Sequence, residues 1–136
     1  MENKLLLEIV TPQGLVFNGH VDEITAAGTE GEFGVLPGHA HFITTLKVGM
    51  LTCKNEDQAS YFFLNKGYAE VGPDKVTILA DSAERSIEID VERAKAAMKR
   101  AEERLRQAET IDVARATSAL ERATIRVQVS GRLSVR

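Results

Sequence analysis

The chain has little of what cross-links, rigidifies or inserts into membranes. One cysteine, Cys53, stands among 136 residues, which excludes an internal disulfide framework and points to a reducing compartment. Tryptophan is absent and aromatics make up 5%. With a net charge of −3, this argues against a nucleic-acid binder, which needs a basic face and stacking side chains. No apolar run approaches the roughly 20 residues that cross a bilayer. Residues 5–10 are too short and interrupted for a secretory signal, so the protein is expected to stay where it is made. There are only three prolines, Pro12, Pro37 and Pro73, and all fall between apolar segments.

What is present is the composition of a folded soluble chain, 43% apolar and 27% charged. Its charges are unevenly placed. Residues 1–89 hold 13 acidic and 6 basic side chains, a balance of −7, and residues 90–136 hold 7 and 11, a balance of +4. The pattern changes at the same place, so the sequence divides into a domain at 1–88 and a second at 89–136.

In the first domain, short apolar segments at 5–10, 21–27, 41–46, 50–54, 59–64, 68–71 and 76–80 alternate with turns. Thr11-Pro12-Gln13-Gly14 places proline and glycine to suit the central positions of a type I or II turn. Strands at this spacing predict an antiparallel sandwich or barrel. The second domain repeats at helical spacing. Val91, Ala94, Met98, Ala101, Leu105 and Ala108 form one stripe, and Val113, Ala116, Leu120, Ala123 and Val127 a second. Asp90 and Asp112 stand where a carboxylate caps a first turn. The short connector Thr110-Ile111 predicts an antiparallel helical hairpin. About half of the stripe positions are alanine, which buries less area than leucine. A hairpin held this weakly is suited to being switched.

Candidate chemistry is sparse. Gly28, Gly31 and Gly34 are interleaved with Glu30 and Glu32, and acid in such a loop repels phosphate. Residues 28–40 read instead as a contact loop. His39 and His41 could offer two metal ligands from one strand face, but no third ligand is near, so they read as structural. No activating partner marks Cys53 as a nucleophile. The arginines form the more informative set. Arg93 and Arg100 are seven apart on the first helix, and Arg122 and Arg126 four apart on the second, each pair on one face. They suit phosphate recognition, with Asp90 accepting from a ribose hydroxyl or an amino group. The alternative is a solvated face with ion pairs such as Lys99–Glu103 and Glu102–Arg106.

The stretch Gly28-Thr29-Glu30-Gly31-Glu32-Phe33-Gly34-Val35-Leu36-Pro37-Gly38-His39-Ala40 closely resembles a loop of bacterial F-type ATP synthase epsilon subunits. Lys47-Val48-Gly49-Met50, Gly67-Tyr68-Ala69-Glu70-Val71 and Val76-Thr77-Ile78-Leu79-Ala80-Asp81 follow in that family's order. Ile89-Asp90-Val91-Glu92-Arg93-Ala94 is similar to its nucleotide-binding signature. His41 departs from it, because proline is common there. The resemblance implies a β-sandwich of about ten antiparallel strands followed by a regulatory C-terminal helical hairpin. It implies a non-catalytic rotor subunit of a proton-translocating ATP synthase, bound to the gamma subunit, the c-ring and the alpha/beta catalytic head. Its place would then be peripheral, on the cytoplasmic side of the cell membrane. The implied c-ring contact is Glu32, with His39 toward gamma. The implied regulatory ATP site is Glu84, Ile89, Asp90, Arg93, Ala94, Arg100, Arg122 and Arg126, with no metal ligand. The hairpin, extended, would inhibit ATP hydrolysis, and its basic second helix, with Arg115, Arg122 and Arg126, could pair with acidic segments of the head. A stand-alone adaptor protein and a metalloenzyme built on His39 and His41 are the competing readings.

Overall fold

The computed structural model describes residues 3–107 and 113–132. Alternation of buried and half-exposed residues builds the strands. On β1 (Leu5–Thr11), Leu5, Leu7 and Ile9 all point inward and are fully buried. The chain continues through β2 (Gly14–Val21), β3 (Glu23–Gly28), β4 (Gly31–Val35), β5 (Phe42–Leu46), β6 (Gly49–Asn55), β7 (Gln58–Leu64), β8 (Gly67–Val71), β9 (Lys75–Ala80) and β10 (Ala83–Arg85). A 3₁₀ turn at Ser86–Glu88 leads to α1 (Val91–Arg106) and α2 (Val113–Ser130).

The strands run in the order β10-β7-β6-β3-β5-β8-β9-β1-β2, with β4 added to β3. The sheet folds over a core that includes Leu51, Phe62, Val71 and Ile78. Ten strands match the expectation. One pairing, β1 with β9, is parallel, the rest antiparallel.

Three strands were not legible as strands. β2 carries Asn18, Gly19 and His20, and its exposed face blurs the alternation. β10 has only three residues. β4 lies inside the expected contact loop: Gly28 pairs with Gly31 across Thr29-Glu30, so the glycines close a two-residue hairpin. In the first turn, Pro12 and Gln13 take the central positions, and Gly14 follows at φ +126.

The helices pack as an antiparallel hairpin whose contact is made by small residues, Ala94 and Ala101 against Ala116 and Ala123, all buried. Val113 belongs to the expected stripe but is 53% exposed, in the first turn of α2 at the end away from the sheet. Ala108, Thr110, Ile111 and Asp112 lie outside the described residues. The hairpin lies down on the sandwich and forms a second, separate core. Ile89, Ala94 and Val129 meet Val48 and Phe63, with Met50, Tyr61, Ile125 and Val127 around them. Neighbouring residues of β7 serve the two cores: Phe62 faces the sandwich interior and Phe63 the hairpin, and both are fully buried. Because α2 touches both α1 and the sheet, its apolar arc is wider than one stripe, which is how Val129 comes to be buried.

Candidate functional site

The site forms where β10, the 3₁₀ turn and the two helices converge. Asp90 has extended backbone and caps α1, its Oδ1 accepting from the Arg93 N–H at 3.0 Å. The cap satisfies one of the free donors of the first turn and orients the turn that carries Arg93. Ile89, only 7% exposed, plugs the second core and anchors Asp90 from behind. From the other side, Arg126 is held by two groups of the sandwich. Its Nε lies 2.6 Å from Glu84 Oε1, and its guanidinium carbon stands 4.4 Å from the centre of the Phe63 ring. Stacking over a ring and pairing with a carboxylate is a fixed geometry for a guanidinium.

Between these groups lies a cavity of ≈ 540 Å³, lined by Glu84, Ile89, Asp90, Arg93, Ala94, Arg100 and Arg126 together with Glu88, Ala97 and Ala123. Seven of the eight residues proposed from the sequence therefore surround one space. The eighth, Arg122, lines an adjoining cavity of ≈ 680 Å³ that shares Ala97, Arg100, Ala123 and Arg126 with the first. Arg104 and Arg115 also line this second cavity. Arg104 was missed as a site residue, although its place four residues after Arg100 carried the signal. The ion pairs Lys99–Glu103 and Glu102–Arg106 are not formed. Both would lie at the surface, with Glu102 half-buried and the other three exposed, where water screens the attraction and the side chains lose entropy.

The remaining candidates lie apart. Glu32 is exposed on β4, opposite Ala27, and His39 is half-buried in the loop after it. The His39 ring packs 5.0 Å from Phe42, with Nδ1 2.7 Å from the Ala40 carbonyl oxygen. His41 sits against Gly72 beside an open depression of ≈ 510 Å³. Among the described residues, no three His, Cys, Asp or Glu side chains are grouped to hold a metal. Burial pushes the Cys53 thiol up to about 11, against the lesser pull of Arg85, so the thiolate needed for nucleophilic attack is not formed near neutrality. Among the described residues no helix is long and apolar enough to cross a membrane.

Two family profiles account for this architecture in order: ATP synthase, delta/epsilon chain, beta-sandwich domain over residues 4–86, and ATP synthase, delta/epsilon chain, long alpha-helix domain over residues 88–131. The chain belongs to the ATP synthase delta/epsilon chain family. An ATP synthase epsilon chain of Thermodesulfovibrio yellowstonii is 57% identical over 109 residues, 80% of this chain and 78% of that one. The epsilon chain of Geotalea daltonii is 53% identical over 134 residues, 97% of each. Among solved structures, a chain in the Euglena gracilis mitochondrial ATP synthase OSCP/F1/c-ring assembly superposes with a TM-score of 0.80 at 24% identity, covering 91% of this chain and 79% of that one. That likeness extends the family fold across a wide sequence distance. The cavity between β10, α1 and α2 therefore belongs to an epsilon-type fold, with its hairpin laid down on the sandwich.

Proposed function

We propose that this protein is the epsilon subunit of an F-type ATP synthase central stalk, non-catalytic itself, whose C-terminal hairpin senses ATP and restrains ATP hydrolysis. In this reading residues 1–88 bind the gamma subunit and the c-ring, with Glu32 and His39 at those contacts. Residues 89–136 regulate the alpha/beta head. The complex, not this chain, supplies the membrane attachment, peripheral and on the cytoplasmic side, and the proton path.

The observation that carries the nucleotide part is the convergence of Asp90, Arg93, Arg100 and Arg126 on one cavity built from both domains. A ligand there touches α1, α2 and Glu84 of the sandwich at once. It stabilises the docked hairpin by binding that arrangement and not an undocked one. Arg122 and Arg126 belong to both proposed sets, the nucleotide site and the inhibitory helix. In the docked state Arg122 lines the interhelical cavity and Arg126 is held between Glu84 and Phe63 at its edge, so binding ATP and engaging the catalytic head exclude one another.

The test is thermal unfolding of the purified chain with millimolar ATP. A rise in melting temperature that Arg93→Ala or Arg126→Ala abolishes is expected. No rise in the unaltered chain would remove ATP from the proposal while leaving the family assignment intact.

A further inference from the structure

The ≈ 680 Å³ cavity between α1 and α2 is lined by arginine and alanine alone. Five arginines, Arg100, Arg104, Arg115, Arg122 and Arg126, line it together with the small side chains of five alanines. No carboxylate among the described residues lines it. Arg126 is paired outward with Glu84, whereas Arg100, Arg104 and Arg122 carry no ion pair among the described residues. Arg100, Arg104 and Arg122 gathered in this way repel one another, and the alanine contact that closes the hairpin contributes little to offset that repulsion. An anion between them would reverse the sign of the electrostatics.

The lining arginines are also spread along the helices. Arg115 and Arg126 are eleven residues apart on α2, about 16 Å along the axis at 1.5 Å per residue. A single tetrahedral phosphate can meet only some of the arginines spaced in this way, whereas a chain of phosphates can meet them in succession. A nucleoside beside Asp90 sends a triphosphate toward Arg100, Arg122 and Arg126. Arg104 lies a full helical turn beyond Arg100.

We propose that this second cavity is a binding site for linear polyphosphate, free or as the tail of a nucleotide longer than a triphosphate, with Arg104 and Arg115 as its distal ligands. Guanidinium groups suit it through bidentate hydrogen bonds to successive phosphate oxygens. The site shares three arginines with the proposed ATP site but requires no nucleoside, so the two readings fail separately.

Calorimetric titration of the full chain at fixed ionic strength with inorganic pyrophosphate, inorganic tripolyphosphate, ATP and adenosine 5′-tetraphosphate tests it. Tripolyphosphate is expected to bind and pyrophosphate to bind more weakly. Arg104→Ala should weaken tripolyphosphate about ten-fold, as the loss of a charge-assisted hydrogen bond implies, and ATP less than two-fold. Arg104→Lys, which keeps the charge but not the fork, should fall between. Tighter binding of the tetraphosphate than of ATP, lost in Arg104→Ala, would make a nucleotide tail the source, and equal binding of the two would make it the free chain. Tripolyphosphate binding without ATP binding would support this site while removing the nucleotide proposal. The inference is overturned if tripolyphosphate does not bind, if Arg104→Ala binds it unchanged, or if a hexaglutamate peptide binds as tightly.

Discussion

Asp22 shows how single side chains tie this sandwich together. It accepts from the Glu56 N–H at 2.6 Å and pairs with Lys4 Nζ at 2.9 Å, joining the start of β1, the β2–β3 corner and the β6–β7 turn. The backbone N–H and then Lys4 hold its carboxyl below the ordinary value of 3.8. A carboxylate depressed in the folded state contributes stability above its unfolded pKa, and that contribution is lost as pH falls through the folded value. Asp22→Asn should therefore lower the melting temperature at neutral pH, with the difference from the parent closing below pH 3.8. Melting curves at a series of pH values check this, and a gap that stays constant into acid would exclude the ionised carboxylate as its source. Other residues are fixed by space rather than charge. A Cβ on Gly67, at φ +149, would stand 1.9 Å from the Leu79 carbonyl oxygen, so the bend from Lys66 into β8 admits glycine only.

At the scale of elements, the hairpin is the loosely held part. Alanines join its helices, and the apolar grip on the sandwich rests on Ile125, Val127 and Val129 against Tyr61, Phe63 and Met50. Val129→Ala removes the most deeply buried of these and should cost the docking of α2 about 2 kcal/mol. That is roughly a thirty-fold rise in the undocked fraction. The loss should appear locally: amides of α2 exchange about thirty-fold faster, and those of β1 and β9 exchange at the parent rate. Parallel acceleration of the sheet amides would mean one cooperative unit instead of two. This division was legible because the apolar period changes from two to three-and-a-half at the same point where the charge balance reverses. The antiparallel alanine contact was legible too, since Ala94, Ala101, Ala116 and Ala123 fall on the stripes. What was not legible depends on tertiary partners. Period alone cannot tell that α2 lies against a sheet, so Val129 went unread. Nor does any local signal place Glu84, on a three-residue strand, beside an arginine 42 residues later; the family resemblance alone placed it in the site. The glycines at 28 and 31 read as a loop because a two-residue hairpin and an irregular turn use the same residues.

For the molecule as a whole, the two cores imply that the sandwich can stand while the hairpin moves. None of the residues buried in the sandwich interior comes from α1 or α2. The arginines then set a direction. Docked, Arg122 lines the space between the helices and Arg126 is held by Glu84 and Phe63 of the sandwich; in the proposed function, undocking releases both side chains toward acidic segments of a catalytic head. Two changes should therefore shift ATP hydrolysis of the assembled synthase in opposite senses. Removing residues 111–136 takes away α2 and its arginines, and hydrolysis should rise several-fold while ATP synthesis is retained. Arg93→Ala leaves α2 intact and weakens only the cavity that favours docking, so hydrolysis at millimolar ATP should fall below that of the parent. Hydrolysis measured on both reconstituted complexes at matched subunit content decides the matter. Opposite signs are the result expected if occupancy of the cavity holds the hairpin away from the inhibitory contact. A shift in the same direction would mean that occupancy of the cavity does not set the position of the hairpin.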